Sequence, residues 1–334
     1  MAVRGTWNDT RSRGRVAIGV ARLIGDSEAM VALRDEVGRA AAAPFPVLIE
    51  GESGTGKELV ARALHEEGPR RDETFAAVNC ATFSDDLIET ELFGHAKGAF
   101  TGAVQSRRGL LEASSGGTVF LDEVGELSPR AQAKLLRTLQ DGEIRKVGEN
   151  VTRRLDLRVV AATNRSLAAE AAKGRFRHDL LYRLDVVHLQ VPPLRDRGAD
   201  IARLATYYWD RTLVQTRGRA RLAPETMNAL AAHEWPGNVR ELQNVLAALA
   251  VAAPAHGEVG PQLLPAAIRR AAEERRPTLA EARRAFDRTF VYDALTRSGG
   301  RRSPAARELG LSRQGLAKLV TRLGIASQKP PRVR

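Results

Sequence analysis

Cysteine is nearly missing from this chain: 334 residues include one, Cys80. A single cysteine excludes an internal disulfide and fits a reducing compartment. Long apolar runs are missing too, and nothing approaches the roughly 20 residues of a membrane-spanning helix. The N-terminus carries arginines but no uninterrupted apolar segment before Arg22, which argues against a signal peptide. There is no internal repeat and no low-complexity tract beyond a richness in alanine. These absences point to a cytoplasmic globular protein. With 43% hydrophobic and 28% charged residues the composition is ordinary, and the length suits one large domain with one or two small ones.

What the chain has in excess is positive charge, unevenly placed. The formal net charge is +12. Residues 266–334 hold 17 Lys/Arg against 6 Asp/Glu, whereas the first 265 hold 35 against 34. A nearly neutral body with a strongly basic tail suggests that the tail meets a polyanion. A solvated arginine-rich helix is the plainer alternative.

Residues 1–22 are polar, arginine-rich and aperiodic, and they predict a mobile leader. From Ile24 to about Val191 short apolar strands alternate with helical stretches, the pattern of an α/β fold with a largely parallel sheet. Strands are expected over 47–50, 75–78, 119–121, 158–162 and 187–191. Alanine and leucine at helical spacing from about 197 to 264, with no expected strand, predict a small helical lid. The boundaries are therefore 23–195 for the core, 196–264 for the lid, 265–277 for a linker, 278–326 for a basic helical unit and 327–334 for a tail.

Gly51-Glu52-Ser53-Gly54-Thr55-Gly56-Lys57 lies between the first strand and a helical run, the context a phosphate-binding loop requires. Its glycines let successive N–H groups converge on phosphate oxygens, and Lys57 supplies a point charge for the β- and γ-phosphates. Glu58 stands where the general pattern has a Ser or Thr for Mg2+. A second element, Gly116-Gly117-Thr118-Val119-Phe120-Leu121-Asp122-Glu123, reads as a buried strand delivering two carboxylates at the ligand-binding edge of the sheet. Asp122 is suited to hold Mg2+, directly or through water, and Glu123 to activate an attacking water. A helix-capping pair is the alternative. ATP with Mg2+ is the expected cofactor.

Between these elements lies Gly98-Ala99-Phe100-Thr101-Gly102-Ala103. Glycines at both ends and small residues around one aromatic describe a mobile loop presenting Phe100; a turn that buries the Phe is the bland alternative. Just ahead, Ser84-Asp85-Asp86 predicts a capped helix with an acidic first turn. In the tail, residues 303–320 read as helix, glycine turn, helix. Ala305, Ala306 and Leu309 face Leu316 and Leu319, and Ser312 caps the second helix. In that helix-turn-helix, Ser312, Arg313, Gln314, Lys318 and Arg322 are candidate DNA contacts.

These motifs, in this order, resemble the bacterial sigma-54-dependent transcription activators over about residues 23–325. The GAFTGA string is similar to the family's sigma-factor-contacting loop, and GESGTGKE is its usual phosphate loop. The resemblance implies an AAA+ core, a helical lid and a Fis-type DNA-binding unit. It implies that the loop from Gly51 to Glu58, with Thr163, Asn164 and Arg240, meets the nucleotide. Asn238 reads only as a helix cap. Asn79 is expected to restrain Glu123 until the site is engaged.

Arg177 and Arg183 are expected to reach a neighbouring subunit's γ-phosphate in a hexamer, although either arginine can simply pair with Asp179 or Asp185. Phe100 and Thr101 are expected to engage sigma-54 in its RNA polymerase holoenzyme. The tail is expected to bind enhancer DNA and to dimerise through a helix over 278–297. Gly315 and Leu319-Val320-Thr321 depart from the family's recognition helices. Some 22 leading residues are too few for the sensory domain many relatives carry, so control is expected from a separate regulatory protein, from expression level or from a domain elsewhere. A DNA-bound repressor or scaffold that binds ATP only to assemble is a competing reading. A general AAA+ remodeller is another, and it leaves the Phe100 loop unexplained.

Overall fold

The computed structural model describes residues 19–100, 103–274, 279–299 and 301–323. The leader as far as residue 18, Thr101 and Gly102 of the loop, and the tail beyond 323 lie outside the described residues.

Five strands form the main sheet: β1 (Val47–Glu50), β2 (Phe75–Asn79), β3 (Thr118–Asp122), β4 (Arg158–Thr163) and β5 (Val187–Gln190), in the order β2-β3-β4-β1-β5. Every pairing is parallel. A parallel sheet must be covered on both faces, so its central strands are largely apolar, while the edge strand β5 keeps His188 and Gln190 exposed. Period-two alternation sorts their side chains. Leu48, Val78, Leu121, Val159 and Ala161 join one cluster, with Ile88, Leu92 and Leu135 from the helices α3 (Asp85–Phe93) and α4 (Pro129–Asp141). Val47, Ile49, Phe120, Val160 and Ala162 join the other, with Val37 from α1 (Glu28–Ala41) and Leu64 from α2 (Lys57–Glu66). Helices α5 (Leu167–Ala172) and α6 (His178–Leu184) lead from β4 to β5. All five expected strands are present. Three run one residue further than expected, ending on the polar residues Asn79, Asp122 and Thr163.

Two buried basic side chains brace this body. Arg158 is 2% exposed at the start of β4. Its guanidinium donates to the carbonyls of Ala40 (2.6 Å), Ala41 (2.9 Å) and Leu64 (3.2 Å). The C-terminal ends of α1 and α2 thus present their partial negative charge to one cation. His65, 6% exposed, shares a hydrogen bond with Thr118 Oγ1 (3.0 Å) and packs against the Phe75 ring. Burial, reinforced by the Arg158 charge, pushes its pKa down to about 4.

The lid is built from α7 (Ile201–Thr216), α8 (Pro224–Ala232) and α9 (Asn238–Ala252). Trp209 and Trp235 are buried, and their indole N–H groups donate to the carbonyls of Ala220 (3.0 Å) and Leu230 (2.9 Å). One expectation fails here. The lid holds a two-residue parallel ladder, Arg221–Leu222 with Glu258–Val259, too short to leave an alternating pattern. Two boundaries also shift. Val20–Arg22, inside the expected leader, form a 3-10 turn, with Val20 packed on the core. The expected linker contains helix α10 (Ala266–Glu274).

The last part of the chain, from Arg270, is a separate compact unit. It contains α11 (Leu279–Arg297), α12 (Arg302–Glu308) and α13 (Arg313–Arg322) around a core of Val291, Ala305, Ala306, Leu316 and Val320.

His65 gives the body a definite acid response. Its pKa is near 6.5 unfolded and about 4 folded, so the unfolded chain binds the extra proton between those values. The stability it contributes is complete above pH 6.5 and is lost as pH falls toward 4, by at most about 3 kcal/mol. In His65→Gln the unfolding free energy should lack this component. The difference between the two proteins in denaturant titrations at pH 7 and pH 4.5 measures it; a pH-independent difference would refute the assignment.

Candidate functional site

The C-terminal ends of the parallel strands converge on one edge. In register, Asn79 lies beside Asp122, and Glu50 lies between Thr163 and Gln190. The phosphate loop leaves β1 at this edge. Gly54 (φ +79) and Gly56 (φ +102) occupy backbone conformations that L side chains rarely adopt, and they turn the loop into the start of α2. Lys57, 7% exposed, donates to the carbonyls of Gly51 (2.8 Å) and Glu52 (3.4 Å), and its ammonium is 3.7 Å from Glu123 Oε1. Thr55 donates to the Glu52 carbonyl (2.8 Å).

Glu123 follows β3 in the left-handed region (φ 53, ψ 47), an uncommon state for a residue with a side chain. Its Oε2 accepts from the backbone N–H of Asn164 (3.0 Å). Asp122 accepts from the Asn79 amide (3.0 Å) and from the Glu123 N–H (3.1 Å). Burial, and then the charge on Glu123, raise the Asp122 carboxyl above its ordinary range, with Lys57 opposing them. Two carboxylates beside one ammonium leave the edge short of positive charge, a setting that fits Mg2+ carried in on a nucleotide. The glycine-lined loop and the Lys57 ammonium fit the phosphates.

Several expected residues stand elsewhere. Asn79 contacts Asp122, while the Glu123 carboxylate is held by Lys57 and Asn164. Glu58 is 56% exposed and pairs with Arg62 one turn along α2 (2.8 Å). Thr163 is buried, and its hydroxyl accepts from the Arg165 N–H (3.1 Å). Arg177 forms a two-pronged pair with Asp179 (3.0 and 2.8 Å). Arg183 is exposed on α6. Neither arginine hydrogen-bonds to the phosphate loop among the described residues.

The lid comes down on the loop. Arg240 Nη1 donates to Ser53 Oγ (3.0 Å), and the first N–H groups of α9, from Val239 and Arg240, donate to the Gly54 carbonyl (3.0 and 3.3 Å). A Cβ on Gly54 would lie 2.4 Å from the Gly237 carbonyl oxygen, so only glycine permits this approach. Asn238 does not cap α9. That helix is capped in reverse by Glu241, which accepts from the Gly237 N–H (2.8 Å). Sequence reasoning also missed the arginines flanking Asp196. Arg195 grips Glu52 with two hydrogen bonds (2.9 and 2.5 Å), which hold that carboxyl below its ordinary range. Arg197, buried, donates to the Thr55 carbonyl (3.2 Å). Asp200, also buried, accepts from the N–H groups of Asp26 (2.7 Å) and Ser27 (2.9 Å) and from the Ser27 hydroxyl (2.6 Å). The only sequence signal for the two arginine contacts was the alternation of Arg195, Asp196 and Arg197 shortly after Pro192-Pro193.

The Phe100 loop rises from a stem in which Gly94–His95 pair antiparallel with Arg107–Arg108. Gly98 N–H donates to the Ala103 carbonyl (2.9 Å), closing its base. Phe100 is 47% exposed, edge-on to His95 at 5.0 Å. Ser84 occupies the cap position of α3 without a side-chain cap bond.

Residues 23–190 match the sigma-54 interaction domain, residues 195–281 an AAA+ ATPase lid domain, and residues 282–319 the Fis family of bacterial regulatory proteins. The chain belongs to the sigma-54 activator family. It is 42% identical over 315 residues to the Nif-specific regulatory protein of Azotobacter vinelandii, covering 92% of this chain and 60% of that protein. It is 43% identical over 305 residues to the transcriptional regulatory protein ZraR of Klebsiella oxytoca, covering 90% of this chain and 68% of ZraR. It therefore spans 60–68% of these two relatives. A crystal structure of NtrX from Brucella abortus in complex with ADP is similar at a TM-score of 0.70 and 34% identity, covering 92% of this chain and 70% of NtrX. Its complex with ATP gives 0.69, also at 34% identity, covering 91% and 70%.

As in the family's Fis-type units, α12 and α13 form a helix-turn-helix. Gly310 (φ +66) makes the turn, and Ser312 Oγ accepts from the Gly315 N–H (3.0 Å), capping α13 as expected. Ser312, Arg313, Gln314, Lys318 and Arg322 are exposed.

Asp200→Ala would leave two backbone N–H groups of the segment before α1 without their acceptor, at a cost of roughly 3 kcal/mol. The thermal midpoint should fall by several degrees in calorimetry, and Asp200→Asn, which keeps one acceptor, should fall less. Equal midpoints for all three proteins would contradict this role.

Proposed function

We propose that this chain is an ATP-hydrolysing activator that binds enhancer DNA and remodels sigma-54 RNA polymerase closed complexes into open ones. One observation carries the reading: both sides of the nucleotide edge lead into helices that join beneath the Phe100 loop. Asn79, on Asp122, precedes α3, and α3 runs into the loop stem. Glu123 precedes α4. Glu89 of α3, 3% exposed, pairs with Lys134 and Arg130 of α4. A change at the carboxylates thus has a short, charge-linked route to Phe100.

Bound ATP would bring the γ-phosphoryl group, with Mg2+ to neutralise its charge. Lys57 and the loop N–H groups bind the phosphates, Asp122 holds Mg2+ directly or through water, and Glu123 orients the attacking water. Thr163 and Asn164 lie at the γ-phosphate end, and Arg240 reads the nucleotide from the lid. Arg177 and Arg183 serve a neighbouring subunit in a hexamer. This requires Arg177 to exchange Asp179 for phosphate, a feasible exchange for an exposed pair. Gly98, Ala99, Phe100, Thr101, Gly102 and Ala103 make the sigma-54 contact. The working division is a core over 23–195 with the turn at Val20–Arg22 packed on it, a lid over 196–264, a linker over 265–277 that carries α10, and a DNA-binding unit over 278–326. In that last unit Phe286 and Phe290, 66% and 52% exposed on α11 and stacked at 5.6 Å, offer an apolar face for dimerisation.

Promoter melting tests the reading. Purified protein, sigma-54 holoenzyme and a promoter with its upstream sites are mixed with ATP or a non-hydrolysable analogue, and unpaired bases are probed. Melting is expected with ATP alone. Phe100→Ala should abolish it while ATP turnover continues, and Glu123→Gln should bind ATP yet lose turnover by about a hundredfold or more. Melting that survives Phe100→Ala would remove the loop from the mechanism.

A further inference from the structure

We propose that Asn238 is a positioning residue that sets Arg240 over the phosphate loop; the inference rests on the ATPase reading above. Asn238 is fully buried, and its backbone is left-handed (φ 53). Its side chain serves other segments and leaves its own helix unserved. Oδ1 accepts from the Leu194 N–H (2.7 Å), while Nδ2 donates to Glu52 Oε2 (3.1 Å) and the Ser53 carbonyl (3.0 Å). One side chain therefore joins the exit from β5, the phosphate loop and the start of α9. Glu52 is itself oriented by Arg195.

Arg240 lies two residues on, in the first turn of α9. An exposed arginine loses much rotamer freedom when held in one pose, and its bond to Ser53 Oγ alone is a weak restraint. The restraint comes from the backbone. With Asn238 locked, the N–H groups of Val239 and Arg240 sit on the Gly54 carbonyl, and the Arg240 side chain starts from a fixed point above Ser53.

The chemistry of position 238 is narrow. Asparagine tolerates the left-handed backbone better than most residues, and it carries both the acceptor that Leu194 needs and the donor that Glu52 and Ser53 need. Aspartate keeps the acceptor, loses the donor and faces the Glu52 carboxylate. Glycine keeps the backbone and loses all three bonds. The two variants separate backbone shape from side-chain linkage.

The experiment uses the full chain and compares Asn238→Asp, Asn238→Gly, Arg240→Ala and the double variants with the native protein. It measures kcat and KM for ATP, equilibrium affinity for a non-hydrolysable ATP analogue, and the thermal midpoint. Each Asn238 variant should lower kcat/KM by roughly 10- to 100-fold, the scale of a misplacement of about 1 Å. The decisive readout is the cycle with Arg240→Ala: the double variant should be no worse than Arg240→Ala alone, in turnover and in affinity, because the Asn238 bonds act on both only by placing Arg240. A merely structural residue would not give that pattern, since its losses multiply with those of Arg240→Ala. Multiplied losses, or Asn238 variants within about twofold of native, overturn the proposal. A native chain that binds ATP without turnover removes the ATPase reading and leaves the affinity cycle to decide. A chain that binds no ATP overturns both.

Discussion

The parallel register of five strands is the constraint on which the site depends. Parallel strands finish at the same level, so the polar residues ending β1, β2, β3 and β4 meet along one line. Glu50 pairs with Thr163 and Asn79 with Asp122 in the ladders, and Asp122 and Glu123 are held together although burial and mutual repulsion oppose it. The cost is carried by the apolar clusters on the two faces, whose alternating side chains leave the sheet no other register without exposing them. A one-residue slip of β3 would turn Phe120 and Leu121 to the wrong faces and move Asp122 off the edge.

Backbone geometry then decides how closely the lid can approach. The Gly54 carbonyl and the N–H groups of α9 meet directly because Gly54 lacks a side chain, whose Cβ would collide with the Gly237 carbonyl. Arg195, Arg197 and Asn238 supply the remaining polar partners for Glu52, Ser53 and Thr55. The phosphate loop is therefore held from beneath by the body and from above by the lid. The lid's position is thus tied to the loop's own hydrogen bonds.

The Phe100 loop is anchored differently. Its stem is a two-residue ladder, closed by Gly94 and Gly109, where a Cβ would collide with the opposing backbone. Gly148 meets Ala99 closely from the neighbouring hairpin. Phe100 itself rests edge-on to His95 and is half exposed, so the contact that holds the ring down is small beside the burial of a core phenylalanine. A closed stem carrying an aromatic with few contacts is the arrangement that the sigma-54 contact proposed above requires.

Much of this was legible in the order of residues. The five strands, the phosphate loop, the acidic strand end and the helix-turn-helix each rest on local signals: short apolar runs, glycines at fixed spacing, a cap residue before a helix. Local signals also gave the Ser312 cap, since cap and helix are adjacent in the chain. The misses share one cause. Asn238 read as a cap because its neighbours are those of a helix start, yet its partners lie 186 and 44 residues away. Arg158 serves two helix ends about 94 and 118 residues away. The Asn79 amide went to Asp122, the residue beside it in the ladder. The chain by itself determined the main strands and helices and their order, because those depend on neighbours in sequence, while the two-residue lid ladder was too short to leave a pattern. The tertiary structure alone decided which buried polar groups are partners, because a hydrogen bond depends on approach to about 3 Å between segments whose spacing no local pattern encodes.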